Sequence, residues 1–134
     1  MFRFLKYLPL LFFGFISAQE EAVYSVYFEF DKFSLDEKQA KEVVNFIKNT
    51  DSTRIESVQI FGYTDDIGKE AYNFKLSTNR ANTIQNKLIE NGIKNKIIVT
   101  IEGKGRILID DDIVDNLPEK RSKNRRVDVV LNLK

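Results

Sequence analysis

Apolar and polar positions alternate along this chain with two different periods, and the switches between them predict its elements. Tyr24, Val26, Phe28 and Phe30 alternate with Ser25, Tyr27 and Glu29, the period of a strand with one buried face. Ser34-Leu35-Asp36-Glu37 fits a capping box, with Ser34 as N-cap and Glu37 reaching back to it. Ala40, Val43, Val44 and Ile47 follow at helical spacing, so a helix is expected to about Asn49. Lys38, Lys41, Glu42 and Lys48 form its solvated face. Val58 and Ile60 predict a second strand that stops at Gly62. A second helix is expected from Lys69 to Asn91, with Phe74, Ala81, Ile84 and Leu88 as its buried stripe. Asn91-Gly92 ends it, since glycine readily takes the left-handed conformation past a helix terminus. Ile97 to Glu102 predicts a third strand, closed by Gly103 and Gly105. Asp110 to Pro118 reads as a loop or a short helix, and Val127, Val129, Leu131 and Leu133 alternate into a last strand.

The order is βαβαββ. A strand-helix-strand unit implies parallel pairing with a right-handed crossover, whereas a last strand joined without a helix is free to lie antiparallel. The expected fold class is therefore α/β: a two-layer sandwich with a mixed four-stranded sheet packed on two main helices.

Composition narrows the function classes. The chain has 134 residues, 43% hydrophobic and 31% charged, a balance that suits one globular domain. Its net charge of +1 lacks the basic excess of a nucleic-acid-binding domain. Arg3, Lys6 and the apolar run from Tyr7 to Ile16 read as a secretory signal ending at Ala18, too short for a membrane-spanning helix. The expected organisation is a signal at residues 1–18, a short tail at 19–23 and one domain over 24–134. With that signal removed, the basic count of 21 falls by two, against 20 acidic residues.

There are no cysteines and no histidines. Disulfides, thiolate metal sites, cysteine nucleophiles, the usual general base and the commonest metal ligand are therefore all missing. Asp110-Asp111-Asp112 lacks the spaced ligands and the glycine of a calcium loop and reads as a solvated turn. No metal and no cofactor is expected.

The segment Gly62-Tyr63-Thr64-Asp65-Asp66-Ile67-Gly68 places an acid on a loop after an apolar strand, and Arg80 lies on the helix that follows. Opposite charges held in one loop-and-helix corner suit a zwitterionic ligand better than a bond-breaking reaction. Two plainer roles stand beside that one: Asp65 as a helix cap, and Arg80 as its internal salt-bridge partner. A hydrolase would need Asp65 and Asp66 as its carboxylate pair, and adjacent loop residues do not flank one substrate.

Further marks complete the set. Phe28-Glu29-Phe30-Asp31 lies in the first strand; Tyr72-Asn73, Leu76-Ser77 and Arg80-Ala81 follow Gly68; Arg121 and Asn124-Arg125-Arg126-Val127 open the last strand. In order and spacing these resemble the carboxy-terminal domain of outer-membrane protein A. That family includes the peptidoglycan-associated lipoprotein and the periplasmic part of flagellar stators. The resemblance covers about residues 24–133. It implies non-catalytic binding of peptidoglycan in the periplasm, through the diaminopimelate of the stem peptide. It places Asp65 on the ligand's ammonium and Arg80 on its carboxylate, with backbone amides near Ile67 and Gly68 assisting.

The chemistry of the ligand agrees with that assignment. Diaminopimelate differs from lysine by a distal carboxylate, and a guanidinium rewards it with paired charge-assisted bonds. Asn73 lies two helical turns before Arg80, so both can face one ligand. Thr64 and Asn73 are neutral hydrogen-bonding candidates, and Arg125 approaches from the neighbouring strand. Arg125 and Arg126 point to opposite faces, so only one of the two lines the site. Tyr24, Tyr27 and Tyr72 read as packing residues before sugar-stacking ones. The chain departs from the family pattern at Tyr63, in Gly103-Lys104-Gly105-Arg106, and at Lys120. The altered 104–120 loop motivates an alternative, in which the fold serves as a scaffold for an envelope protein partner.

Overall fold

The computed structural model describes residues 20–110 and 115–134. The proposed signal at 1–18, Gln19 and the stretch 111–114, with two aspartates of the Asp110-Asp111-Asp112 run, lie outside the described residues. Among the described residues four strands and three α-helices follow one another: β1 (Glu20–Tyr27), α1 (Glu37–Lys48), β2 (Ile55–Thr64), α2 (Glu70–Glu90), β3 (Ile98–Arg106), α3 (Leu117–Asn124) and β4 (Arg126–Leu133). The sheet order is β1-β4-β2-β3. β2 and β3 are parallel, and β4 runs antiparallel to both β1 and β2. This is the expected mixed sheet, with one addition: the short helix α3 connects β3 to β4.

Several boundaries differ from expectation; β2, expected to stop at Gly62, continues to Thr64. β1 begins at Glu20, so residues 20–23 pair with Val130 to Leu133 instead of forming a tail. It ends at Tyr27, and Phe30 is 55% exposed although Phe28 stays in the core. The strand period fails there because the chain turns at Asp31, whose φ is +60°. α1 is capped by Asp36 and not Ser34. The Asp36 carboxylate accepts the Gln39 amide at 2.7 Å, and the Gln39 side chain reaches back to the Asp36 amide at 3.5 Å. Two overlapping capping boxes compete in the sequence, and the second wins with a further bond, from Gln39 Nε2 to the Tyr27 carbonyl at 2.6 Å. Val43, Val44 and Ile47 are then buried on the sheet.

α2 spans nearly the expected range, but its buried stripe is partly polar. Asn73, Leu76, Ser77, Arg80, Ala81, Ile84 and Leu88 face inward, and Phe74 is 56% exposed. The apolar pattern misplaced the first half of the stripe because polar side chains occupy it. β3 runs through Gly103 and Gly105 to Arg106, so these glycines do not end it.

Their role is steric. Gly62 and Gly103 are register partners on adjacent parallel strands, and together they leave a bare patch on the sheet. The backbone of α2 at Ser77 and Thr78 settles onto it. A Cβ at Gly62 would lie 2.0 Å from the Ser77 carbonyl oxygen, and one at Gly103 would lie 2.5 Å from the Thr78 amide nitrogen. Ser77 completes the seam, its hydroxyl accepting the Gly105 amide at 2.9 Å. This close approach fixes the height of α2, and hence of Arg80 one turn later, over the sheet. Replacement of Gly62 by Ala is expected to lower the unfolding free energy by on the order of 1–3 kcal/mol, read as a lower urea midpoint, because the obstructing atom is backbone and cannot swing away. An unchanged midpoint would show that the helix can lift off without loss.

Candidate functional site

The site lies where β2 ends and α2 begins. A small cleft there is lined by Phe30, Asp31, Thr64, Asp65, Ile67, Tyr72, Asn73, Leu76, Arg80 and Arg125. Its inner volume is about 20 Å3, enough for one water-sized charged group.

Arg80 is fully buried, the largest side chain to be so among the described residues. Its guanidinium does not form a direct ion pair with Asp65. Nε donates to the Lys32 carbonyl at 2.8 Å, Nη1 to the Tyr63 carbonyl at 3.0 Å and Nη2 to the Glu29 carbonyl at 3.1 Å. The Phe28 ring packs against the same guanidinium at 5.2 Å. A guanidinium has five N–H donors, so one proton on each terminal nitrogen remains after these three bonds. Burial pulls the Arg80 pKa down to about 10, while Asp65 opposes that shift and Arg125 adds to it. Arg80 is therefore charged at neutral pH.

Asp65 is 3% exposed and sits in the loop after β2. Its Oδ1 accepts the Ile67 amide at 3.0 Å and its Oδ2 meets Arg125 Nη1 at 3.4 Å. The Ile67 amide is thus committed to Asp65 and is not the free anion donor that the sequence suggested. Nor does Asp65 cap α2: the N-cap is Lys69, with no side-chain cap bond. Thr64 donates its hydroxyl to the Asp65 carbonyl at 3.1 Å. Asn73 uses its amide nitrogen on the carbonyls of Ile67 at 2.8 Å and Lys69 at 3.1 Å, which ties the loop to the helix start. Gly68, at φ +95°, supplies the turn but does not line the cleft.

Of the two arginines opening β4, Arg125 faces the cleft. Its Nε holds the Phe28 carbonyl at 3.1 Å. Arg126 stacks on Tyr63 at 4.7 Å and bonds Asp128 at 3.0 Å on the other face of the sheet. The structure brings Thr64, Asp65, Ile67, Asn73, Arg80 and Arg125 together around one cleft. Sequence reasoning missed Asp31 and Tyr72, which meet across the cleft mouth when the Tyr72 hydroxyl donates to Asp31. That bond raises the Tyr72 phenol pKa. Asp31 was within the quoted Phe-Glu-Phe-Asp stretch, and only the turn at φ +60° reveals that it leaves the strand.

This geometry stands beside clear sequence and structural likenesses. The sequence profile described as the OmpA family matches residues 27–125. The chain belongs to the OmpA family. Among relatives, outer membrane protein A of Bordetella avium is 36% identical over 104 residues, covering 77% of this chain and 52% of that protein. Peptidoglycan-binding protein ArfA of Mycobacterium bovis is 41% identical over 76 residues, 56% of this chain and 22% of that protein. This OmpA-family chain therefore spans only about half of the first relative and about a fifth of the second. The OmpA-like domain of FopA1 from Francisella tularensis superposes with a TM-score of 0.63 at 28% identity, covering 88% of this chain and 77% of that one. The cell wall anchor of the T6SS from Pseudomonas aeruginosa shares the fold, with a TM-score of 0.62 at 20% identity and 96% coverage of both chains. Among the described residues, no helix of this OmpA-family domain is long and apolar enough to cross a membrane.

A second ion pair flanks the cleft. Arg121 Nε holds Asp66 Oδ1 at 2.8 Å and its Nη2 reaches Oδ2 at 3.4 Å. The Arg121 hydrogen bond keeps the Asp66 carboxyl below its ordinary value of 3.8. A carboxylate with a depressed folded pKa contributes stability above its unfolded pKa, and that contribution is lost as pH falls through the folded value. The difference in thermal midpoint between wild type and Asp66→Asn is therefore expected to be full at about pH 5 and above and to close as pH falls below about 3.8. Melting followed by circular dichroism across that range checks it, and a gap independent of pH would deny the linkage.

Proposed function

We propose that this domain binds peptidoglycan without turnover, through the diaminopimelate of the stem peptide, in the periplasm. The observation that carries the reading is a buried acid and a buried guanidinium lining one cleft. Asp65 keeps lone pairs for an ammonium, because only an amide and a long Arg125 contact use it. Arg80 keeps two N–H groups for a carboxylate, since three carbonyls hold the rest. Those carbonyls also fix the fork in place before a ligand arrives, so little side-chain freedom remains to be lost on binding. A diamino acid without the distal carboxylate would satisfy Asp65 and leave Arg80 unanswered.

The exposed rim of Phe30, Ile67 and Tyr72 offers apolar contact for the ligand's methylene chain. The name of the mycobacterial relative, a peptidoglycan-binding protein, supports the same ligand class. Binding without catalysis suits the carboxylates: Asp66 is held by Arg121 beside the cleft and does not oppose Asp65 across it. On this reading the domain contributes to cell-envelope integrity, tied to the outer membrane through an envelope partner.

Sacculus co-sedimentation of residues 20–134 tests the proposal, with Asp65→Ala and Arg80→Ala beside wild type and free diaminopimelate as competitor. Each substitution is expected to weaken binding on the order of tenfold to a hundredfold, the worth of one charge-assisted bond. Arg80→Ala also leaves three carbonyls without their donor, so circular dichroism must show it folded, and Asp65→Ala is the cleaner arm. Folded wild type remaining in the supernatant would overturn the reading and favour a protein partner.

A further inference from the structure

Asp65 and Asp66 are consecutive, and each meets an arginine of the same short stretch. Arg121 lies in the last turn of α3, and Arg125 is its C-cap, one helical turn on, with its amide bonded to the Arg121 carbonyl at 3.2 Å. Arg121 grips Asp66 at 2.8 Å, while Arg125 meets Asp65 at the longer distance of 3.4 Å. The short outer pair is thus rigidly joined to the long inner one. Arg125 has one further anchor, a mutual exchange with Phe28: the Phe28 amide donates to the Arg125 carbonyl at 2.8 Å and Arg125 Nε donates to the Phe28 carbonyl at 3.1 Å.

We infer that the Asp66–Arg121 ion pair is a positioning clasp that holds Arg125 against Asp65, and that the charge so placed sets which diamino acid the cleft prefers. The inference rests on the peptidoglycan reading above. With Arg125 seated, the guanidiniums of Arg80 and Arg125 share the cleft with the carboxylates of Asp31 and Asp65, and the charges balance. A head group that brings a carboxylate as well as an ammonium then suits it best. With Arg125 withdrawn, two carboxylates face one guanidinium, and an ammonium alone gains most of what the site offers. Asp66 and Arg121 are themselves outside the group lining the cleft, so they act through Arg125 and not by touching the ligand.

The test compares wild type, Asp66→Asn, Arg121→Lys and the charge-swapped double variant Asp66→Arg/Arg121→Asp. Two readouts are taken on each: competition of sacculus binding by diaminopimelate and by lysine, and solvent exchange of the Arg125 Nε–H proton by nuclear magnetic resonance. Asp66→Asn is expected to weaken diaminopimelate competition about tenfold with lysine competition unchanged or stronger, and to speed Arg125 Nε–H exchange. Arg121→Lys and the double variant, which keep a charge pair, are expected to restore most of the discrimination. An equal loss for both ligands would mark the pair as merely structural and overturn the inference. So would an Arg125 exchange rate that Asp66→Asn leaves unchanged. If wild type fails to bind sacculi at all, the peptidoglycan reading falls with its specificity claim, while the exchange arm still decides whether the clasp holds Arg125.

Discussion

A single buried cation organises this corner of the molecule. Arg80 has no exposed surface, and its charge is tolerated because backbone carbonyls from two separate segments turn toward it. Desolvating a guanidinium is costly unless its hydrogen bonds are replaced and an opposite charge lies near. Here three carbonyls replace water, and Asp65 supplies the field. The dependence runs both ways. The loop after β1 has its shape because Glu29 and Lys32 offer their carbonyls to Arg80, and β2 is held at Tyr63 by the same group. The residue proposed to meet a ligand is therefore also the residue that assembles the wall of the cleft.

The glycines at 62 and 103 serve that cation. Helices commonly pack on sheets through side chains, at distances that leave room for them. Here two facing glycines let α2 approach by its backbone, and the depth of that seat decides whether a guanidinium one turn later reaches the Tyr63 carbonyl. Glycines inside strands weaken strand formation in isolation. In this fold they trade local propensity for a helix position that no larger residue permits.

Much of this was legible in the sequence, and the failures share a cause. Strand and helix order followed from period two and period 3.6, and the grouping of Asp65, Asn73, Arg80 and Arg125 rested mainly on the resemblance to the carboxy-terminal domain of outer-membrane protein A. Where polar residues lie inside, the hydrophobic pattern pointed the wrong way. Phe74 looked like core because Asn73, Ser77 and Arg80 do not, yet those three are the buried ones. Gly103 and Gly105 looked like strand terminators because glycine's close-approach role has the same one-letter signature as its turn role. Asp31 and Phe30 read as strand because a left-handed turn at a single aspartate leaves no trace in periodicity. The third helix carries no buried residue, so it had no apolar stripe to announce it.

The order of the sheet has a consequence for how the chain comes together. β1 is an edge strand whose register runs from Glu20 opposite Leu133 to Tyr27 opposite Arg126. The first described strand therefore waits for the last one, with almost the whole sequence between them. β4 also separates β1 from β2, so until it arrives the sheet consists of a parallel β2–β3 pair with α2 upon it and a lone β1 strand. Closing so long a loop is slow and entropically costly, and it concentrates the gain at the end of the process. Until β4 is present, β1 has no partner and the sheet is limited to β2 and β3. Completion of the sheet is thus coupled to the arrival of residues 126–133, the strand that joins its two halves.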